Sequence, residues 1–174
     1  MSETIVDRIY NDNLALLEYL RQCQQISFVS QFDSTFKKDL LLASASYFED
    51  EVCKIVQAFV ERKAGGDECI VSLVKQKVIK RQYHTYFEWE AKNANKFFGM
   101  FGEGFQRKLK QKIIDDPTLD TAVKAFLELG NMRNCLVHQN YAIYRIDKTA
   151  EEVYTLYKKA AFFIQCLSEN FDNF

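Results

Sequence analysis

The sequence predicts an all-α fold, an antiparallel four-helix up-and-down bundle with additional short helices inserted mid-chain. Three observations lead there. One proline and six glycines in 174 residues leave few places where a helix must stop. Apolar residues recur at three- and four-residue intervals along most of the chain, and no stretch sustains the alternation of a half-buried strand. The length suits one domain, residues 1–174, able to bury roughly two thirds of its unfolded surface.

The elements follow in order. Ile5, Val6, Ile9, Tyr10, Leu16, Leu17 and Leu20 mark a first helix over about residues 3–24. Asp33-Ser34 are good N-cap residues, so a second helix is expected to begin there and run to the stop at Gly65-Gly66. A shorter helix from Asp67 to about Arg81 places Ile70, Leu73, Val74 and Val78 on one side. Thr85–Met100 is read as helical, followed by a turn at Gly102 and a basic helix through Gln106–Ile114. Asp116-Pro117-Thr118 opens the next helix, because proline suits a first helical turn; it ends near Gln139-Asn140. A loop through Tyr141–Lys148 leads to a last helix over about Thr149–Asn170.

The totals exclude several classes. A formal net charge of −1 gives no global basic field, so any nucleic-acid contact must use a local patch. No apolar run approaches the ~20 residues needed to cross a bilayer, so no membrane partner is expected. The start Met1-Ser2-Glu3-Thr4-Ile5-Val6-Asp7-Arg8 is charged and amphipathic and lacks a signal-peptide pattern. Cys23, Cys53, Cys69, Cys135 and Cys166 are odd in number and widely spaced, and read as small core residues of a reduced, cytoplasmic protein. With only His84 and His138 as histidines, the sequence calls for no metal and no cofactor.

The decisive feature is Arg133-Asn134-Cys135-Leu136-Val137-His138. On a helix at about 100° per residue, Leu119, Ala122, Val123, Phe126, Leu127, Leu129, Leu136 and Val137 share one broad arc. Arg133 projects near the middle of that arc, Asn134 falls inside it and His138 lies at its edge. A guanidinium keeps its proton in proteins, and burying it unpaired costs several kcal/mol. Either it has an acidic partner or that part of the helix faces a wet cleft. On the second helix Leu41, Ala45, Phe48, Val52, Ile55, Val56 and Phe59 form the inward arc, with Glu49 alone of the run Glu49-Asp50-Glu51 at its flank. Glu49 is therefore expected to pair with Arg133 or Asn134.

These residues carry a resemblance. Arg133-Asn134-x-x-x-His138, late in a bundle of this length, resembles the Arg-x4-6-His signature of the HEPN superfamily. Ser46-Tyr47-Phe48-Glu49, Asn95-Lys96-Phe97-Phe98 with Phe101-Gly102, and Phe126-Leu127 with Met132 before the motif are similar to its RiboL-PSP-type branch, found in bacterial defence and toxin systems. The resemblance spans about residues 35–170. It implies a metal-independent endoribonuclease acting as a homodimer, with motifs of two subunits lining one cleft. Arg133 and His138 would be catalytic, with Asn134 and Glu49 in the supporting polar pocket. RNA is the implied substrate, and an antitoxin or operon-encoded protein the implied partner. One departure is visible. HEPN toxins paired with minimal nucleotidyltransferases carry a tyrosine two residues after the histidine, where this chain has Asn140, with Tyr141 one position later.

The chemistry is coherent without analogy. RNA carries its own nucleophile, the 2′-hydroxyl, beside the scissile phosphate. A histidine with pKa near 6.5 can take that proton at neutral pH, and an arginine fork can hold the phosphate oxygens as charge builds. Two basic stretches, Lys75–Arg81 and Arg107–Lys112, could track an RNA backbone, with Lys108, Lys110, Lys112 and Tyr141 as candidate contacts; such basic runs are more often solvated helix faces. The aromatic group Tyr83, Tyr86, Phe87, Trp89, Phe97, Phe98, Phe101 and Phe105 could stack bases but more often such a group is core or interface, and His84 reads as a surface or helix-start residue. Two other functions stay open: a HEPN-type domain that binds RNA or a nucleotide without cutting it, and a helical protein-interaction module such as an immunity or adaptor protein.

Overall fold

The computed structural model describes residues 3–174, so Met1 and Ser2 of the N-terminal stretch lie outside the described residues. Those residues are all-helical, 78% helix with no strand. The helices are α1 (Ile5–Gln22), α2 (Ile26–Lys63), α3 (Glu68–Val74), α4 (Tyr83–Tyr86), α5 (Asn95–Gly99), α6 (Glu103–Asp115), α7 (Pro117–His138) and α8 (Ala150–Asp172). A π-helical turn, Lys75–Ile79, continues α3.

Local chemistry sets most helix starts. Thr4 and Asp7 form a capping box on α1, as Thr149 and Glu152 do on α8. Asp116 accepts from the backbone of Thr118 and Leu119, with Pro117 as the first residue of α7. Asp67 caps α3 in the same way. Gly102 turns the chain into α6 at φ 92°, which a side chain would resist.

Burial then joins the elements. α7 packs along α8, both pack on α2, and α1 packs on α2. Phe48 of α2, Phe126 of α7, and Tyr157 and Phe163 of α8 meet at the centre. Ring centroids there are 5.8 Å apart for Phe48–Phe126, 5.3 Å for Phe48–Tyr157 and 5.1 Å for Phe126–Phe163. Each such ring is fully buried, a gain of ~1.5–3 kcal/mol apiece. Among the polar residues taken inside, Asp7 accepts from the Thr4 backbone (2.8 Å), Tyr154 (2.7 Å) and Lys158 (3.2 Å). Lys38 is buried too. It donates to the Tyr141 carbonyl at 2.5 Å and sits 4.5 Å from the centre of that ring, which ties the loop after α7 down to α2.

Several expectations need correction. α2 begins at Ile26, two residues after a left-handed Gln24 (φ 55°), with Gln25 as a cap lacking any side-chain hydrogen bond. Asp33 and Ser34 lie inside it, and Asp33 pairs with Lys37 at 2.8 Å instead of capping. The apolar side expected for the helix after Asp67 is only partly covered: Ile70 and Leu73 are exposed, whereas Val74 and Val78 are half-buried. Thr85–Met100 is not one helix. Phe87 leaves α4 to enter the core, 4.8 Å from Phe97 and 4.9 Å from Phe126, and the chain runs irregularly until α5. Val137 is exposed despite lying on the apolar arc of α7. Cys23 and Cys69 are exposed, so the small-core reading holds for Cys166, which is buried, and in part for the half-buried Cys53 and Cys135.

Candidate active site

α7 presents the motif at its C-terminal end. Arg133 and Asn134 are half-buried there, and His138, the last helical residue, is exposed. The guanidinium donates from Nη1 to Asn134 Oδ1 at 3.2 Å. One of its five N–H donors is thereby occupied and the rest of the fork is left for another partner. Beside these residues lies a cleft of about 350 Å³. Its α7 wall contains Leu129 and Gly130 together with Arg133, Asn134 and His138, and α2 supplies Ala45, Phe48 and Glu49.

The third wall is the segment between the π-helical turn and α5, which contributes Arg81, Tyr83, His84 and Trp89. Its position is set by a notch. A Cβ at Gly130 would lie 2.1 Å from Cε3 and Cζ3 of Trp89, so the indole rests where any larger residue would stand. Trp89 Nε1 donates back to the His84 carbonyl at 3.1 Å, fixing the backbone of the segment. Arg81 enters this wall in the left-handed region at φ 62°, a conformation that costs a non-glycine residue ~1–3 kcal/mol and persists only where surrounding structure enforces it.

The charged lining is two arginines, Arg81 and Arg133, against one carboxylate, Glu49. The cleft is thus cationic on a chain of net charge −1. Burial, together with Glu49 and Cys53, pushes the Tyr83 hydroxyl well above its ordinary range, against the opposing pull of Arg133. Tyr83 can therefore offer a proton in a hydrogen bond but is no base at neutral pH. Burial, then Glu49 and Asp50, raises the Cys53 thiol to about 11, which removes it as a nucleophile. Among the described residues no group of three or more His, Cys, Asp or Glu is placed to hold a metal ion.

A model of the RiboL-PSP-HEPN family matches residues 7–173. The chain belongs to this family. Membership suggests a ribonuclease or nucleotide-binding role, with RNA interaction and dimerisation as family tendencies. Searches of curated proteins and of solved structures gave no match. No helix among the described residues is long and apolar enough to cross a membrane.

Of the sequence-derived site residues of this HEPN chain, Arg133, Asn134, His138 and Glu49 all line the cleft. The expected pairing of Glu49 with Arg133 or Asn134 is not formed: among the described residues Glu49 makes no ion pair or hydrogen bond to either, and Asn134 serves Arg133 instead. Lys108, Lys110 and Lys112 lie on α6 and Tyr141 beyond α7, none of them in the cleft lining. Arg81, Tyr83, His84 and Trp89 line the cleft as well, although none of them is among the expected catalytic or pocket residues. His84 is exposed and near a helix start, as expected, yet it faces the same space as His138. The aromatic group is core for Tyr83, Tyr86, Phe87, Phe97, Phe98 and Phe105, Phe101 is half-buried against that core, and Trp89 is half-buried and walls the cleft.

Proposed function

We propose that this HEPN protein is a metal-independent endoribonuclease, acting as a toxin or phage-defence effector and restrained by an antitoxin or operon-encoded partner. The 2′-hydroxyl of RNA attacks the adjacent phosphorus while His138 takes its proton. The guanidinium of Arg133 holds the non-bridging oxygens as negative charge accumulates. The O2′–P bond forms and the P–O5′ bond breaks as O5′ takes a proton from water, so the products are a 2′,3′-cyclic phosphate and a 5′-hydroxyl. DNA lacks the nucleophile and is not cut. Asn134 orients the guanidinium, and Glu49 completes the polar pocket. The working unit in this reading is a homodimer of antiparallel four-helix bundles, with Arg133 and His138 of both subunits facing one groove.

The observation that carries the proposal is the convergence of Arg133, Asn134 and His138 on one open, cationic cleft instead of a sealed core ion pair. The test is cleavage of RNA in the presence of chelator by the wild type and by the Arg133→Ala and His138→Ala variants. Loss of a cyclic-phosphate product in both variants is expected, and equal activity in all three proteins overturns the mechanism. A second reading, binding of RNA or a nucleotide without cleavage, is favoured by the half-buried Trp89 beside the cleft, a surface on which a base can stack. Retained RNA binding with no cyclic product, even at high protein concentration, selects it.

A further inference from the structure

A tyrosine hydroxyl taken into a protein interior ordinarily finds a hydrogen-bond partner. Among the described residues the buried tyrosines are Tyr83, Tyr86 and Tyr157. Tyr86 donates to the Val78 carbonyl at 2.8 Å, and the Tyr157 hydroxyl lies 2.7 Å from that of Thr4. Tyr83 is only 9% exposed, yet no hydrogen bond to its hydroxyl is formed among those residues. No sealed side-chain polar atom among them lacks a partner, so the Tyr83 hydroxyl must open onto the cleft that its residue lines. We propose that it donates a hydrogen bond to a non-bridging oxygen of the scissile phosphate, beside Arg133; this rests on the ribonuclease reading above.

Aromatic packing fixes the ring that carries this donor. Its centroid lies 5.5 Å from that of Trp89 and 6.0 Å from those of Tyr86 and Phe87. Trp89 is in turn seated on Gly130 of α7, so the phenol is tied to the helix that bears Arg133 before any substrate arrives. Stabilisation of a transition state requires such a preset donor. The neighbouring charges agree. Burial, then Glu49 and Cys53, hold the phenol protonated, and Arg133 pulls the other way, so carboxylate and guanidinium both lie within electrostatic reach of the hydroxyl. Glu49 is an acceptor of the right kind, but it acts on the phenol through its charge alone and forms no hydrogen bond with it.

The acceptor follows from what Arg133 attracts. A phosphodiester on the guanidinium fork brings two non-bridging oxygens into this space, and each has lone pairs to spare. The phenol transfers no proton. It keeps its O–H bond throughout, and the hydrogen bond it donates strengthens as negative charge gathers on the phosphate oxygens. A neutral donor suits this place, since it adds no second buried charge beside the guanidinium. In the homodimer groove each Tyr83 serves the phosphate held by Arg133 of its own chain.

The experiment uses the full chain, with chelator present, on an RNA oligonucleotide that carries at its cleaved linkage either the ordinary phosphate or one of the two phosphorothioate diastereomers. Tyr83→Phe keeps the ring and its packing and removes only the donor. Its thermal midpoint and Trp89 emission should match the wild type. Single-turnover cleavage of the ordinary RNA should fall ~10²- to 10³-fold, with RNA binding changed by less than about twofold, because the bond is made chiefly in the transition state. Sulfur accepts a hydrogen bond from a phenol poorly. The wild type should therefore lose most of that factor on one diastereomer, whereas Tyr83→Phe should lose little more on it, the two changes deleting the same contact.

An active wild type with an unimpaired Tyr83→Phe variant overturns this proposal and leaves the ribonuclease reading standing. So does a slow Tyr83→Phe variant that still pays the full sulfur penalty on the sensitive diastereomer, or one whose loss lies wholly in RNA binding. A lowered thermal midpoint with shifted Trp89 emission overturns it too, because the hydroxyl would then be holding the fold. A wild type that cleaves none of the three substrates removes both readings together.

Discussion

Gly130→Ala separates a structural role from a simple change in helix propensity. In an unobstructed helix interior, replacing glycine by alanine stabilises by about 0.5–1 kcal/mol. Here the new methyl would lie 2.1 Å from two carbons of the Trp89 ring, far inside contact distance. The indole has to lift off α7, and overpacking of this kind costs ~1–3 kcal/mol. The net expectation is a loss of about 1 kcal/mol, or roughly 3 °C in Tm for a chain of this length. Trp89 is the single tryptophan, so its own emission reports the event. The variant should show a red-shifted spectrum and readier quenching by acrylamide, because the indole leaves α7 and its tie to the His84 carbonyl is lost. Unchanged emission with a Tm raised by the ordinary propensity gain would refute the notch.

Three further outcomes are expected. Burial pushes the Asp7 carboxyl up, but its hydrogen bonds from Thr4, Tyr154 and Lys158 outweigh this and bring it from 3.8 down to about 2. A depressed carboxylate stabilises the fold above its unfolded pKa, so about 2 kcal/mol present at neutral pH should drain away between pH 4 and pH 2. Asp7→Asn should lower stability at pH 7 and flatten that acid limb in denaturant titrations. Lys38→Met keeps the buried stem but gives up the bond to the Tyr141 carbonyl and the contact with its ring. It should cost about 1–3 kcal/mol and accelerate amide exchange across residues 139–149. Glu49→Gln should leave thermal stability within about 0.5 kcal/mol, because no ion pair to Arg133 is lost, and should tighten RNA binding at low salt by roughly two- to fivefold. A drop of about 3–5 kcal/mol would instead mean that Glu49 and Arg133 are paired in solution.

The helix ends that the chain announces with its own side chains were legible in sequence: Asp116-Pro117 for α7, Thr149 for α8, Asp67 for α3 and the Gly65-Gly66 stop. So was the anomaly of Arg133, since a cation on an apolar arc must meet either a partner or water. Two things resisted. The start of α2 carries no side-chain cap, and its first turns expose Ile26 and Phe28, so neither capping chemistry nor an amphipathic period marks them. The inserted segment is shaped by contacts with distant residues. Nothing around Trp89 says that a glycine on α7 will receive its ring, and nothing around His84 says that it will face His138. The half of the site on α7 and α2 follows from helical geometry, whereas the half on the segment follows from tertiary packing alone.

The length of α2 has a practical corollary. Its 38 residues make a rod ~57 Å long, whereas a spherical globule of this many residues would measure roughly 40 Å across. The molecule is therefore drawn out along that rod and tumbles more slowly than its 20.4 kDa would suggest. On a gel-filtration column calibrated with round standards, one copy will elute slightly early, but not at the position of two. Stoichiometry for this chain is better read from light scattering or sedimentation equilibrium, where mass is obtained without assuming a shape.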